Sequence, residues 1–279
     1  MLLDSPYAVA YFVFLASVLG LCMGSFLNCL AWRMTHGESV MHGRSHCTSC
    51  GHVLAARDLV PVLSWLSTRG TCRYCGKRVS ARYPATELLC AVAYVSILLR
   101  YGVGVQTLEL VAFASVLLVL SLTDLDDYII PNATIVACIA IRLVYLAYLA
   151  ACGEGELLAL VGGSLAAGLL VTIPILALVL VMDHVLGKES FGGGDVKLLF
   201  VAGMYFGWQQ CVFLILVACV LGIAFGVASQ RKDGDAPASE ASQEDKRLIP
   251  FGPSIACACW ITMLFGQQLL DWYAGLFVL

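Results

Sequence analysis

Long stretches without a single Asp, Glu, Lys or Arg constrain this chain more than any other feature. Residues 5–32 and 198–230 are the longest, and 110–123, 128–141, 157–182 and 248–270 follow the same pattern. A helix that crosses a bilayer needs roughly 20 mostly apolar residues. Residues 5–32 exceed the apolar core of a signal peptide and have no basic residue ahead of them, so a retained span is expected there. Eight spans are predicted: 5–32, 86–104, 107–124, 129–152, 157–186, 195–206, 208–228 and 250–271. As one helix, 198–230 would run roughly 50 Å, well beyond a hydrocarbon core of about 30 Å. Gly203, Gly207, Trp208, Gln209 and Gln210 predict a turn inside it. Composition agrees, with 60% hydrophobic and 13% charged residues, against about 25% charged for a soluble domain. A net charge of −3 gives no basic field for nucleic acid.

The basic residues set an orientation. Eight Lys or Arg lie between Arg33 and Glu87, and Lys188, Lys197, Arg231, Lys232, Lys246 and Arg247 fall in later loops on the same side of alternating spans. Basic loops stay cytoplasmic, so both termini are expected outside and the 33–86 loop inside. Residues 233–243 are polar and small, without apolar periodicity, as expected of a disordered loop near 231–247. The predicted organisation is a first helix over 1–32, a cytoplasmic domain over 33–86 and a membrane core over 87–279.

The 33–86 loop carries Cys47-Thr48-Ser49-Cys50-Gly51 and Cys72-Arg73-Tyr74-Cys75-Gly76. Two thiolates spaced CxxC reach one ion from a tight knuckle, and two knuckles complete a tetrahedral S4 site. Cys47, Cys50, Cys72 and Cys75 are therefore candidate ligands of zinc or a similar soft metal, in a closed structural site. A reducing cytosol disfavours disulfides, and thioredoxin-like chemistry would need a βαβ context that is missing. His36, His42, His46 and His52 flank the site and read as surface residues. Glu38, Asp58 and Glu87 are the loop's acids, without an assigned role.

Two acidic clusters lie where apolar runs meet the cytoplasmic side. One is Asp124-Leu125-Asp126-Asp127, followed by Pro131-Asn132; the other is Gly192-Gly193-Gly194-Asp195-Val196-Lys197. A carboxylate in a spanning segment defaults to a functional hypothesis. Two of them face to face could share one proton, one acting as general base on water while the other, protonated, polarises a peptide carbonyl. Glycines beside them let backbone approach closely. Asp124 lies deepest in its apolar run, but these residues alone do not select the acid within the first cluster. A transporter coupled to a cation could use the same acids.

Taken together, the motifs resemble the type IV prepilin leader peptidases, membrane aspartic peptidases of the GxGD class. The Asp124…Pro131-Asn132 and Gly192-x-Gly194-Asp195 stretches look like the family's two catalytic motifs. Gly24-Ser25-Phe26-Leu27-Asn28 with Arg33, the paired knuckles, Arg82-Tyr83-Pro84 with Glu87-Leu88, Gly187-Lys188-Glu189 and Ile249-Pro250-Phe251-Gly252-Pro253 match further segments. The resemblance implies an all-α polytopic protein of the inner membrane with a cytoplasmic zinc domain between the first two spans. It also implies Asp124 and Asp195 as the catalytic pair. Two activities are implied: cleavage of the leader of prepilins or type II secretion pseudopilins after glycine, then N-methylation of the new terminus with S-adenosylmethionine as donor. Arg33-Met34-Thr35 stands where relatives have Arg-Leu-Pro, Asn132 follows Pro131 where they commonly have Asp, and the 33–47 segment is short. That short segment leaves open a peptidase that does not methylate. No strand–GxGxxG–helix fingerprint marks a donor site.

Overall fold

Apolar runs of this length satisfy their backbone only as helices in a medium without water. The computed structural model describes residues 5–39, 42–187, 191–233 and 250–276. Lys188, Glu189 and most of the expected 231–247 loop lie outside the described residues. The elements are α1 (Pro6–Thr35), a short α2 (Leu63–Ser67), α3 (Arg82–Tyr101), α4 (Val105–Asp127), α5 (Asn132–Ala151), α6 (Leu157–Leu186), α7 (Gly193–Asp233) and α8 (Gly252–Gly275). Seven of these are long and apolar enough to cross a membrane, where eight spans were expected. The difference lies in α7, which joins the two segments expected at 195–206 and 208–228.

Within α7 the backbone leaves helical geometry at Gly207, with φ 74° and ψ 169°. Phe251 shows what this does. Its ring stacks edge-on with Phe191 at 5.6 Å, and a Cβ on Gly222 would meet the same ring at 2.6 Å. In a straight helix residues 193 and 222 would stand roughly 44 Å apart, so the chain turns back at Gly207. The first limb, 193–206, covers only roughly 21 Å, short of a full hydrocarbon core. The turn sits where the sequence placed it, because glycine alone adopts that φ without a Cβ clash.

The contacts divide the chain into two compact units, Met1–Thr123 and Asp124–Leu279. In the first, α1 and α3 touch through small residues. A Cβ on Gly20 would lie 2.5 Å from Ala91 Cα, and one on Gly24 2.7 Å from Glu87 Cα. This is the Gly-x-x-x-Gly spacing that lets apolar helices approach backbone to backbone. Buried and half-buried polar groups in the same unit find partners: Asn28 donates to Thr86 Oγ1, Tyr94 and Ser115 share a 2.7 Å bond, and Arg82 donates to the Leu122 carbonyl at 3.1 Å. In the second unit α6 and the first limb of α7 use the same device. A Cβ on Gly203 would lie 2.7 Å from Gly168 Cα, and Ser164 Oγ donates to the Met204 carbonyl at 2.9 Å.

Between α1 and α3, residues 46–53 and 71–78 form two knuckles of one design. In each, the glycine after the second cysteine has positive φ (Gly51 70°, Gly76 72°) and donates its N–H to the first cysteine's carbonyl (2.8 and 2.9 Å). Each closes with one antiparallel bridge, His46 to Val53 and Thr71 to Arg78. His52 and Tyr74 link the two through rings 3.7 Å apart.

Candidate functional site: a buried acid pair and a four-cysteine cluster

Asp124 is in the last turn of α4 and almost fully buried, whereas Asp126 and Asp127, two and three residues on, are exposed. Burial thus selects among the acids of the first cluster. Tyr128 at φ 56° ends the helix and turns the chain toward Pro131. Asp124 Oδ2 accepts the N–H of Gly252 at 2.9 Å. Gly252 opens α8, so this N–H is one of the donors that a helix N-terminus leaves unpaired. A Cβ on Gly252 would come within 2.7 Å of that oxygen, so glycine is the residue that permits the bond.

Asp195 is the third residue of α7, on the same unit. Its backbone N–H returns to the Gly192 carbonyl at 3.0 Å. A Cβ on Gly192 would fall 2.9 Å from Asp195 Oδ2, and one on Gly194 would fall 2.8 Å from Ile130 Cβ. The glycine run therefore does two things: it leaves the carboxylate room and lets the loop seat against the turn after α4. Asp195 Oδ1 is buried without a hydrogen-bond partner among the described residues. The Gly194–Ile130 contact sets the Asp195 loop against the turn that follows Asp124. Beside them Lys197 Nζ donates to Asn132 Oδ1 at 2.8 Å, joining the two motif segments.

The role of Gly252 was missed by sequence reasoning, which noted its segment only as the start of the last span. The available signal was a glycine at the first position of a helix, followed by proline. The Lys197–Asn132 bond was missed because its partners stand 65 positions apart.

The Sγ atoms of Cys47, Cys50, Cys72 and Cys75 all lie within 4.8 Å of one another, and no histidine joins the group. Burial pushes the Cys47 thiol up, but N–H groups of Ser49 and Cys50 and the Cys72 and Cys50 thiols outweigh it, leaving it lowered to about 7. Cys75 goes the other way. The Lys77 N–H favours its thiolate, but burial and the three neighbouring thiols raise it to about 11. Four sulfurs this close cannot all carry charge unless a cation sits among them, so the donor set fits a soft metal ion. Of the loop acids, Asp58 accepts from Arg73 and Tyr74 at 2.9 and 2.8 Å, Glu38 pairs with His46 at 3.9 Å, and Glu87 accepts the Val62 N–H at 2.7 Å.

Fold and site define a polytopic helical membrane protein with a paired-acid site in one unit and a tetrathiol knuckle domain in the other. The model of the bacterial peptidase A24 N-terminal domain matches residues 18–101, and that of the type IV leader peptidase family matches residues 111–227. The prepilin leader peptidase/N-methyltransferase of Pseudomonas putida is 33% identical over 284 residues, 93% of each chain. That of Aeromonas hydrophila is 31% identical over 241 residues, 84% of this chain and 76% of the relative. That of Bacillus subtilis (strain 168) is 28% identical over 92% of this chain and 95% of the relative. No solved structure matches. The chain belongs to the type IV leader peptidase family, and it is a multi-pass bacterial membrane protein.

Proposed function

We propose that the protein processes prepilins or type II secretion pseudopilins at the inner membrane in two steps, on the cytoplasmic side. Asp124 and Asp195 cleave the leader after its terminal glycine, and the new N-terminal amine is then methylated with S-adenosylmethionine as co-substrate. The observation that carries the first step is a buried Asp124 fixed by the Gly252 N–H and, in the same unit, a half-buried Asp195 with one oxygen that has no partner among the described residues. One carboxylate takes a proton from water while the water oxygen bonds to the scissile carbonyl carbon. The other carboxyl, protonated, donates to the carbonyl oxygen. Breaking the C–N bond releases the amine, which takes up a proton, and no covalent enzyme intermediate forms. Gly193, where an added Cβ would meet nothing within 4 Å, leaves open space beside Asp195 for an extended substrate strand.

Cys47, Cys50, Cys72 and Cys75 hold a structural zinc ion that locks the two knuckles of the 33–86 domain together. The relatives' names carry the methyltransferase assignment. A synthetic prepilin peptide, incubated with purified enzyme with and without S-adenosylmethionine and analysed by mass spectrometry, tests both steps. Cleavage with a 14-dalton gain on the mature N-terminus is expected. Cleavage without the gain leaves the peptidase alone; no cleavage removes the proposal and brings the cation-coupled transporter forward.

A further inference from the structure

Val62 has φ 59° and ψ −49°, a conformation that crowds the Cβ of a β-branched residue. The Leu63 N–H donates to the Pro61 carbonyl across it, closing a γ-turn of the rare, strained hand. Glu87 holds this turn in place. Its carboxylate, buried in the second turn of α3, accepts the Val62 N–H. Strain of this kind persists only where the surroundings over-determine it, and it points to a function for what the turn presents.

The turn presents α2. Leu63 is 65% exposed and Leu66 57% exposed, and Leu59 and Val60 just before the turn are exposed as well. Trp65 of the same short helix points inward instead. It donates to the Val79 carbonyl at 3.1 Å and packs on Gly70. Scattered exposed leucines are ordinary, but four apolar side chains gathered on a small polar domain mark an interaction surface. Exposed Arg57 and Arg69 bracket the four in sequence.

We infer that this patch is a second membrane contact, in which Leu59, Val60, Leu63 and Leu66 enter the headgroup–acyl boundary of the leaflet where α3 begins. Two features select the bilayer as the occupant. The first is height. Glu87 stands five residues into α3, roughly 8 Å along its axis, and that is where the apolar span starts, so its bond pins the patch at the hydrocarbon edge. The second is charge, because Arg57 and Arg69 match anionic headgroups at that level. The Glu87–Val62 bond then fixes the depth and tilt of α2, and through it the position of the knuckles above the surface. This inference is independent of the peptidase and methyltransferase assignments.

The test uses the full chain, reconstituted in vesicles of phosphatidylethanolamine and phosphatidylglycerol. The photo-crosslinking residue p-benzoylphenylalanine is placed at position 63, at position 66 or, as control, at exposed position 77 on the second knuckle. Lipid adducts at 63 and 66, several-fold above those at 77, are expected by mass spectrometry. Glu87→Ala is expected to lower the yield at 63 several-fold, and Arg57→Gln with Arg69→Gln to remove its dependence on phosphatidylglycerol. Adducts from 63 and 66 to protein, whether the same chain or a second copy, overturn the inference. So does a lipid yield no higher than at position 77, in the chain with Glu87 intact.

Discussion

The knuckle domain and the acid pair both crowd groups that become negative, and they manage it in opposite ways. Four thiols stand within 4.8 Å of one another at partly exposed positions, and their donor set calls for a cation. In the other unit Asp124 is buried and Asp195 half-buried, with glycines and one helix N-terminal N–H beside their carboxyl groups. A filled tetrahedral shell leaves no open position, which suits a structural role. An acid pair with one oxygen unpartnered among the described residues leaves room for water and substrate, which suits catalysis. The lesson is that crowding alone does not separate the two sites; what the surroundings leave unfilled does.

Substitutions can break this contrast, and the largest effect is expected at the acids. Asp124→Asn and Asp195→Asn should each lower prepilin cleavage by about 10²–10⁴-fold or more, the range of a lost general acid or base. Metal content should stay at the wild-type level. A variant of either kind that still processes the peptide at the native rate would remove the pair from the mechanism. Cys47→Ser and Cys72→Ser should do the reverse. Elemental analysis should show most of the bound metal lost, and limited proteolysis should cut 33–86 faster, while the acid pair in the other unit keeps its geometry. Gly252→Ala sharpens the comparison inside the acid site. Its Cβ must displace the Asp124 carboxylate, so kcat should fall roughly 10–100-fold, as for misplacement by about 1 Å, with little change in thermal stability.

The smallest effect is expected at Asp58 in the knuckle domain. The Tyr74 hydroxyl and then Arg73 hold its carboxyl below the usual carboxylate range. A depressed folded-state pKa contributes stability that is present above the unfolded value and is lost as pH falls through the folded one. Acid melts followed by Trp65 fluorescence, in a chain whose other four tryptophans are replaced by Phe, should therefore show a weaker pH dependence below about pH 4 with Asp58→Asn than without it. An unchanged profile would mean that Asp58 is not held as the structure indicates.

Much of this was legible in the sequence. Charge-free runs fixed the helices because unpaired backbone is too costly in hydrocarbon. The CxxC spacing reported its cluster because both thiols of each pair come from one tight turn, a local geometry. The break at Gly207 was also local. Only the count differed: two expected spans form α7, whose first limb is too short to reach across. Among the acids, the composition of the 124–127 segment left the choice to depth in the apolar run, and burial then separated Asp124 from Asp126 and Asp127.

Sequence by itself determined which segments are helical, where they turn and which four thiols come together, since each depends on neighbours within a few residues. Tertiary structure alone decided that the Gly252 N–H reaches Asp124 across 128 positions, that Lys197 meets Asn132, and that Glu87 holds Val62 in a strained turn. Those pairings follow from how helices pack, and packing brings together residues whose separation along the chain carries no periodic signal.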